Sequence, residues 1–330
     1  MRFRRWKRWL HDHPAGVLFV IAPVLAEVFS GSTPLSEFIN PLAFIPLMML
    51  YGSGAVLARE AVVRWRKGWF SLLLLGFAYG IYEEGLVVRS FFNPHWMDLG
   101  NLGTYGRAAG VNWVWVEQLV IFHALISILT TVAFVEMLFP EHRREPWLHS
   151  RRAWGFYFAN LVLVLLIGRA LTPYDAPDIG VLLCWVSIMA LIGMARVWPV
   201  RPRAARGGKP PPPLAFFSLG FLGLLLMFLL VSQGADAGRY PPLVAMGLLA
   251  LEAGVVLAVV LRWSGRGSRW NDRHRFALLA GGLSFLLIFT ALLAGRVYPV
   301  MVVTSPLFLL ALAVAYRRVS RRVAGEASSP

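Results

Sequence analysis

Sulfur and charge are both scarce in this chain. A single cysteine, Cys184, stands inside an apolar block, which excludes an internal disulfide and any metal site built from several thiolates. Only 15% of the residues are Asp, Glu, Lys or Arg, against about 25% in soluble domains. A continuous basic domain is also missing. The net charge of +15 comes from short clusters between apolar blocks, so nucleic acid is not an expected partner. The apolar blocks lack the alternating polarity that a membrane β-barrel needs. The first of them, Val17–Val28, follows a basic start like a signal peptide, but it has no convincing small-x-small cleavage site and Glu27 interrupts its end. It therefore reads as an uncleaved first span.

What is abundant is apolar residue, 58% of the chain, against roughly 45–50% in soluble domains. Blocks such as Ala215–Leu230 and Leu278–Leu293 approach the roughly 20 residues that a helix needs to cross hydrocarbon. Apolar runs predict spans near 14–30, 41–58, 69–89, 112–139, 153–171, 178–197, 214–233, 241–261, 275–295 and 299–316. The expected fold is all-α, a polytopic bundle of about ten transmembrane helices, because an open sheet cannot satisfy its backbone in lipid.

Basic residues orient the bundle. With a cytoplasmic N-terminus, the inside segments are Arg2–Arg8, Arg59–Lys67, Arg143–Arg152, Arg196–Lys209, Arg262–Arg275 and Arg317–Arg322, which hold 27 of the 32 Lys and Arg residues. Arg89, Arg107, Arg169, Arg239 and Arg296 remain outside. Both termini are then cytoplasmic, and the expected location is the plasma membrane. The Pro/Arg-rich stretch 199–213 reads as a semi-rigid cytoplasmic linker. It divides the chain into a six-span part, 1–198, and a four-span supporting part, 214–330, with a basic tail and no sequence repeat between the two.

Polar residues inside spans are costly, so they are functional candidates by default. They concentrate in the first four spans. Glu27 lies in the first; Tyr79, Tyr82, Glu83 and Glu84 in the third, with Arg89 at its end; Asn112, Glu117, Gln118, His123, Ser127, Thr130 and Thr131 in the fourth. Spans seven to ten offer only Glu252 well inside a run. Helical spacing puts Asn112, His123, Ser127 and Thr130/Thr131 on one face of the fourth helix, and Glu83 on the face of Tyr79. Two adjacent carboxylates in low dielectric do not both ionise easily. Glu83, Glu84 and His123 are the catalytic candidates, with Arg89, Asn112, Glu117, Ser127, Glu27 and Tyr79 as ligand-binding candidates. Each has a structural alternative. His123 with Ser127 can be an interhelical hydrogen bond, the threonine pair can satisfy its own helix, Glu83–Glu84–Arg89 can be an interfacial ion cluster, and Glu136 and Glu252 can be helix-end contacts. The long loop from Ser90 to Val111 could lid the site. His95 and Asp98 within it are weak candidates for additional metal ligands; no metal and no cofactor is expected.

Residues 83–89, EEGLVVR, together with His123-x-x-x-Ser127, resemble the glutamate intramembrane proteases of the CAAX-processing and bacteriocin-maturation type. The resemblance implies that Glu83 or Glu84 activates water and that His123 stabilises the oxyanion. The chain departs from that pattern in two ways. Four residues rather than three separate the pair from Arg89, so that only a π-bulge would realign Glu84 with it, and the family's Phe-x-x-x-His element is missing because position 119 is Leu. Three readings stay open. One is an outward-facing polar cavity for a small polar or lipid-headgroup ligand, as in a proton-coupled transporter. The others are a glutamate-type hydrolase and a non-catalytic assembly or lipid-binding subunit. Beyond the lipid bilayer, no protein partner is indicated.

Overall fold

The structure, a computed structural model, describes residues 13–97, 99–200, 208–265, 270–293 and 298–328. The Arg2–Arg8 cluster, the arginines of 201–207 and 266–269, and Arg296 fall outside them. Helices dominate: α1 Pro14–Val28, α2 Pro41–Arg64, α3 Trp69–Val87, α4 Trp113–Leu138, α5 Arg151–Leu171, α6 Asp178–Val197, α7 Pro213–Ala235, α8 Pro242–Ser264, α9 Asp272–Leu293 and α10 Val300–Ser328. Among the described residues, nine of these are long and apolar enough to cross a membrane. The tenth, α1, is about 22 Å long at 1.5 Å per residue. That is short of the roughly 30 Å hydrocarbon core. The chain is an all-α multi-pass membrane protein.

The helix starts follow local chemistry. Proline opens α1, α2, α7 and α8, where its missing N–H costs nothing and its fixed φ suits the first turn. Side chains cap α2 and two others: Asn40 accepts from Leu42 N, Asn112 from Trp115 N and Ser150 from Ala153 N, each satisfying an otherwise orphaned donor. The only strands described are the two-residue pair Arg107–Ala108 and Val111–Asn112, which closes the tip of the α3–α4 loop.

Four helices contain π-helical segments: Val24–Val28 in α1, Met48–Gly52 in α2, Tyr82–Val87 in α3 and His123–Thr130 in α4. Pro23 and Pro46 lie just before the first two. A proline inside a helix removes one hydrogen bond and clashes with the carbonyl four residues back, so the ladder must re-register. The segments in α3 and α4 have no such proline. They carry Glu83, Glu84, His123 and Ser127.

Contacts divide the chain into two units. The first holds residues 1–26, 40–200 and 231–247. Its centre is α3, of whose apolar window 78% is buried, against 22% for α5 and α6. The outer faces of those two helices carry large exposed apolar side chains such as Phe158, Leu166, Leu182 and Met189, as expected of helices facing lipid tails. Helix α3 meets α4 through Gly76 and Gly80. A Cβ at Gly76 would lie 2.7 Å from Ala124 Cα, and one at Gly80 would lie 3.2 Å from both Val120 Cα and His123 Cβ. Small residues four apart let two membrane helices approach closely. Here they set His123 against α3.

The second unit holds residues 27–39, 201–230 and 248–330. Helix α9 is its most enclosed helix, with 61% of its window buried. Phe285 packs edge-on against Phe221 and beside Phe228 and Phe289. Asp272 receives Arg322 at 2.6 Å, tying α9 to α10, and Thr290 donates to the Phe29 carbonyl at 3.0 Å.

Candidate functional site

Adjacent residues on an α-helix point about 100° apart. In α3 the turn widens after Tyr82, so that Val88 N donates to Glu83 O, five residues back, at 3.0 Å. The wider turn reduces the angle between neighbours, and Glu83 and Glu84 both turn toward α4. His123 opens the π-segment of α4 and stands between them. Its Nε2 lies 2.9 Å from Glu84 Oε1, and its Nδ1 lies 3.2 Å from Glu83 Oε2 and 3.0 Å from Ser127 Oγ. All four side chains are buried, with Glu83 3% and His123 4% exposed.

Each carboxylate is held from its other side by a hydroxyl. Tyr51, in the π-segment of α2, donates to Glu83 Oε1. Ser90 donates to Glu84 Oε2 and itself accepts the Trp115 indole N–H at 3.0 Å. Tyr79 flanks the cluster, its ring centroid 6.2 Å from that of His123 and 6.1 Å from that of Tyr51. Glu83, Glu84 and His123 can each offer one donor atom within 4.8 Å of the others, a spacing that a metal ion could bridge.

Of the residues the sequence singled out, Glu83, Glu84, His123, Ser127 and Tyr79 thus come together. The others are placed elsewhere. Arg89 stands beyond the end of α3 with a left-handed φ of 59°, and its Nη1 donates to the Tyr174 carbonyl. Burial, then the Arg169 guanidinium, pull its pKa below the ordinary arginine value, while Asp175 raises it. Its charged neighbours are these two and not the glutamates. The π-bulge that the Glu84–Arg89 spacing required is present, yet helix α3 ends before it can carry Arg89 round to the pair. Asn112 is not on the helix face. It is the N-cap of α4, and it pins the loop by donating to the Leu102 carbonyl and to Phe91 O. Glu117 is half-buried, and its Oε2 has no hydrogen-bond partner among the described residues. Glu27 belongs to the second unit, where Thr33 donates to it at 2.5 Å. His95 is exposed and Asp98 lies outside the described residues; the described metal-compatible group does not include His95. Thr131 satisfies its own helix, donating to Ser127 O at 2.6 Å.

A cavity of about 1210 Å³ opens in the first unit among Tyr105, Arg107, Trp113, Arg239, Tyr240 and Leu243, but Glu83, Glu84 and His123 do not line it. The polar cluster is buried and does not form the floor of that cavity. Among the described residues, the loop from Ser90 to Val111 meets the cluster at its base, through Ser90.

Sequence reasoning missed Tyr51, Ser90 and Trp115. Tyrosines at span ends read as interfacial anchors, but position 51 is mid-way along α2, and that depth was the available signal. Nothing in the sequence marks Ser90. It also missed a buried clamp at the far end of α2. Arg59, 1% exposed, donates to the carbonyls of His142, Arg143 and Glu145 and to Glu136, and lies 3.6 Å over the Trp147 ring. Glu60 accepts Trp147 N at 2.8 Å and pairs with Arg64. By sequence Arg59 opens the inside basic segment Arg59–Lys67; in the fold it holds the loop after α4 onto α2.

No curated protein and no solved structure matches the chain. A family model described as an uncharacterized membrane protein family matches residues 17–329, a range that takes in every element of the site. The chain belongs to that uncharacterized membrane protein family.

Proposed function

We propose that this protein is a membrane-embedded hydrolase whose Glu83–Glu84–His123 cluster activates a water against a substrate that enters from the lipid. The observation that carries the reading is the position of His123 between two carboxylates, its ring nitrogens 2.9 Å and 3.2 Å from them. Three π-segments, in α2, α3 and α4, supply Tyr51, the glutamates, and His123 with Ser127. Departures from the α-helix of this kind are often found at functional sites. Buried carboxylates beside an imidazole can take a proton from bound water, and the hydroxide then attacks an ester or amide carbonyl. The same proton passes to the leaving group, and a His123 N–H can donate to the oxyanion. The cluster resembles the Glu-Glu and His elements of the glutamate intramembrane proteases, without a contribution from Arg89.

The distribution of basic residues supports cytoplasmic termini and a site nearer the external face. A substrate there would be a lipid headgroup ester or a membrane-anchored peptide. Transport of a small polar ligand is the second reading, favoured by one feature: both ring nitrogens of His123 face carboxylates, as in a proton relay.

The test is genetic and chemical. A deletion strain complemented with the wild type or with Glu84→Gln is profiled for lipids and for membrane-peptide termini. A species that accumulates in the deletion strain and with Glu84→Gln, and disappears with the wild type, is the substrate. If Glu84→Gln restores the wild-type profile, the hydrolase reading fails.

A further inference from the structure

We infer that Glu83, Glu84 and His123 form a binding site for one divalent transition-metal ion of the zinc class. The inference deepens the hydrolytic reading by naming what its water-activating cluster holds, and it stands on donor geometry that can be tested without a substrate.

Each of the three residues offers a donor atom within 4.8 Å of the other two. Around a tetrahedral zinc with bonds of about 2.0–2.2 Å, donors lie roughly 3.3–3.5 Å apart. Glu84 Oε1 and His123 Nε2, now 2.9 Å apart, need spread by only about half an ångström to reach that separation. The set is one imidazole and two carboxylates. Imidazole suits zinc and its first-row neighbours, whereas magnesium and calcium prefer oxygen alone. Three protein ligands with a fourth position left to water is the usual composition of a catalytic zinc site.

The surroundings of the three donors are those of metal ligands. Bound carboxylates and imidazoles are oriented by hydrogen bonds to their remaining atoms. Here Tyr51 donates to Glu83 Oε1, Ser90 donates to Glu84 Oε2, and Ser127 Oγ lies 3.0 Å from His123 Nδ1. Each hydroxyl fixes one atom of its residue. Glu84 Oε1 faces Nε2 and Glu83 Oε2 faces Nδ1 of the same ring, so an ion at Nε2 is met by Glu84 directly and by Glu83 after its carboxylate turns toward Glu84. Charge points the same way. Two adjacent buried carboxylates repel one another when both are ionised. A dication balances both carboxylates and leaves His123 neutral, the form in which its Nε2 can ligate.

The experiment uses the full chain in detergent micelles, stripped with a chelator, dialysed against Zn²⁺ alone and assayed for bound metal by mass spectrometry. About one ion per chain is expected for the wild type and for Glu252→Gln, and His123→Ala and Glu84→Gln should lose it. Tyr51→Phe removes only an orienting hydroxyl, so it should keep the stoichiometry and bind about 10–100-fold more weakly. Loading with Co²⁺ should give the visible absorption bands of a four-coordinate nitrogen–oxygen site. A wild type without saturable binding overturns the proposal, as does retention of the ion by His123→Ala. Should His123→Ala fail to fold, unchanged affinity in Tyr51→Phe overturns it as well. The two readings fail separately. If wild type binds no metal while Glu84→Gln still accumulates substrate, hydrolysis by protein groups alone remains. If metal is bound and nothing accumulates, the site remains and hydrolysis falls.

Discussion

His123 Nε2 lies 2.9 Å from Glu84 Oε1, across 39 residues of chain and between two helices. The contact exists because Gly76 and Gly80 let α3 approach α4, and because the hydrogen bonds of α3 reach five residues back at Tyr82–Val87. Backbone packing and side-chain chemistry therefore converge on one point, and several measurable consequences follow from its parts.

Glu83→Gln, Glu84→Gln and His123→Ala should impair one shared property, the substrate profile of complemented cells, with membrane insertion intact. Glu252→Gln should leave that property nearly unchanged, because Glu252 lies in the second unit. If Glu252→Gln proves as damaging as the third-helix pair, the site has been placed in the wrong unit.

Arg59→Ala should destabilise the protein by about 3–5 kcal/mol, the cost of breaking a buried ion pair by removing one partner. It would strip the donors from three loop carbonyls and from Glu136, and remove one of the two guanidinium groups beside Glu60. Arg59→Lys should recover only part of the loss, since an ammonium lacks the planar fork that reaches several carbonyls at once. Thermal unfolding in detergent reads both; an unchanged melting temperature in Arg59→Ala would show that the clamp carries no stability.

Gly76→Leu should force α3 away from α4. A Cβ there already falls 2.7 Å from Ala124 Cα, and overpacking typically costs about 1–3 kcal/mol. Because the same interface positions His123, metal affinity and substrate turnover should fall together with stability. Gly68→Ala, where a Cβ meets nothing within 4 Å, is the control and should change neither. Equal stability of the two variants would mean that the glycine contact does not set the helix spacing.

Reporter fusions test the orientation. Fusions after Gly207 and Glu326 should read cytoplasmic, and those near Gly103 and Asp236 external, in line with the 27 basic residues assigned inside and the 5 outside. A cytoplasmic signal at Gly103 would place the cluster nearer the opposite face and redirect the search for its substrate.

The sequence by itself determined the membrane class, the helical architecture and most helix limits. Long apolar blocks permit no other backbone in lipid, and their ends are marked by local signals. The predicted 178–197 and 153–171 match Asp178–Val197 and Arg151–Leu171 closely, because proline, caps and charge act within a turn of the residue that carries them. It also brought Glu83, Glu84, His123 and Ser127 forward, since polar side chains at that depth are conspicuous. Tertiary structure decided which polar residues meet. Ideal helical spacing put Asn112 on the same face as His123 and left Arg89 to be realigned by a bulge. In the folded chain α4 starts after Asn112, α3 ends before Arg89, and Tyr51 and Ser90 arrive from other segments. Helix registers shift by one residue when a close interhelical contact outweighs a hydrogen bond of the ladder. That balance is struck between helices distant in sequence, and no single stretch of residues records it.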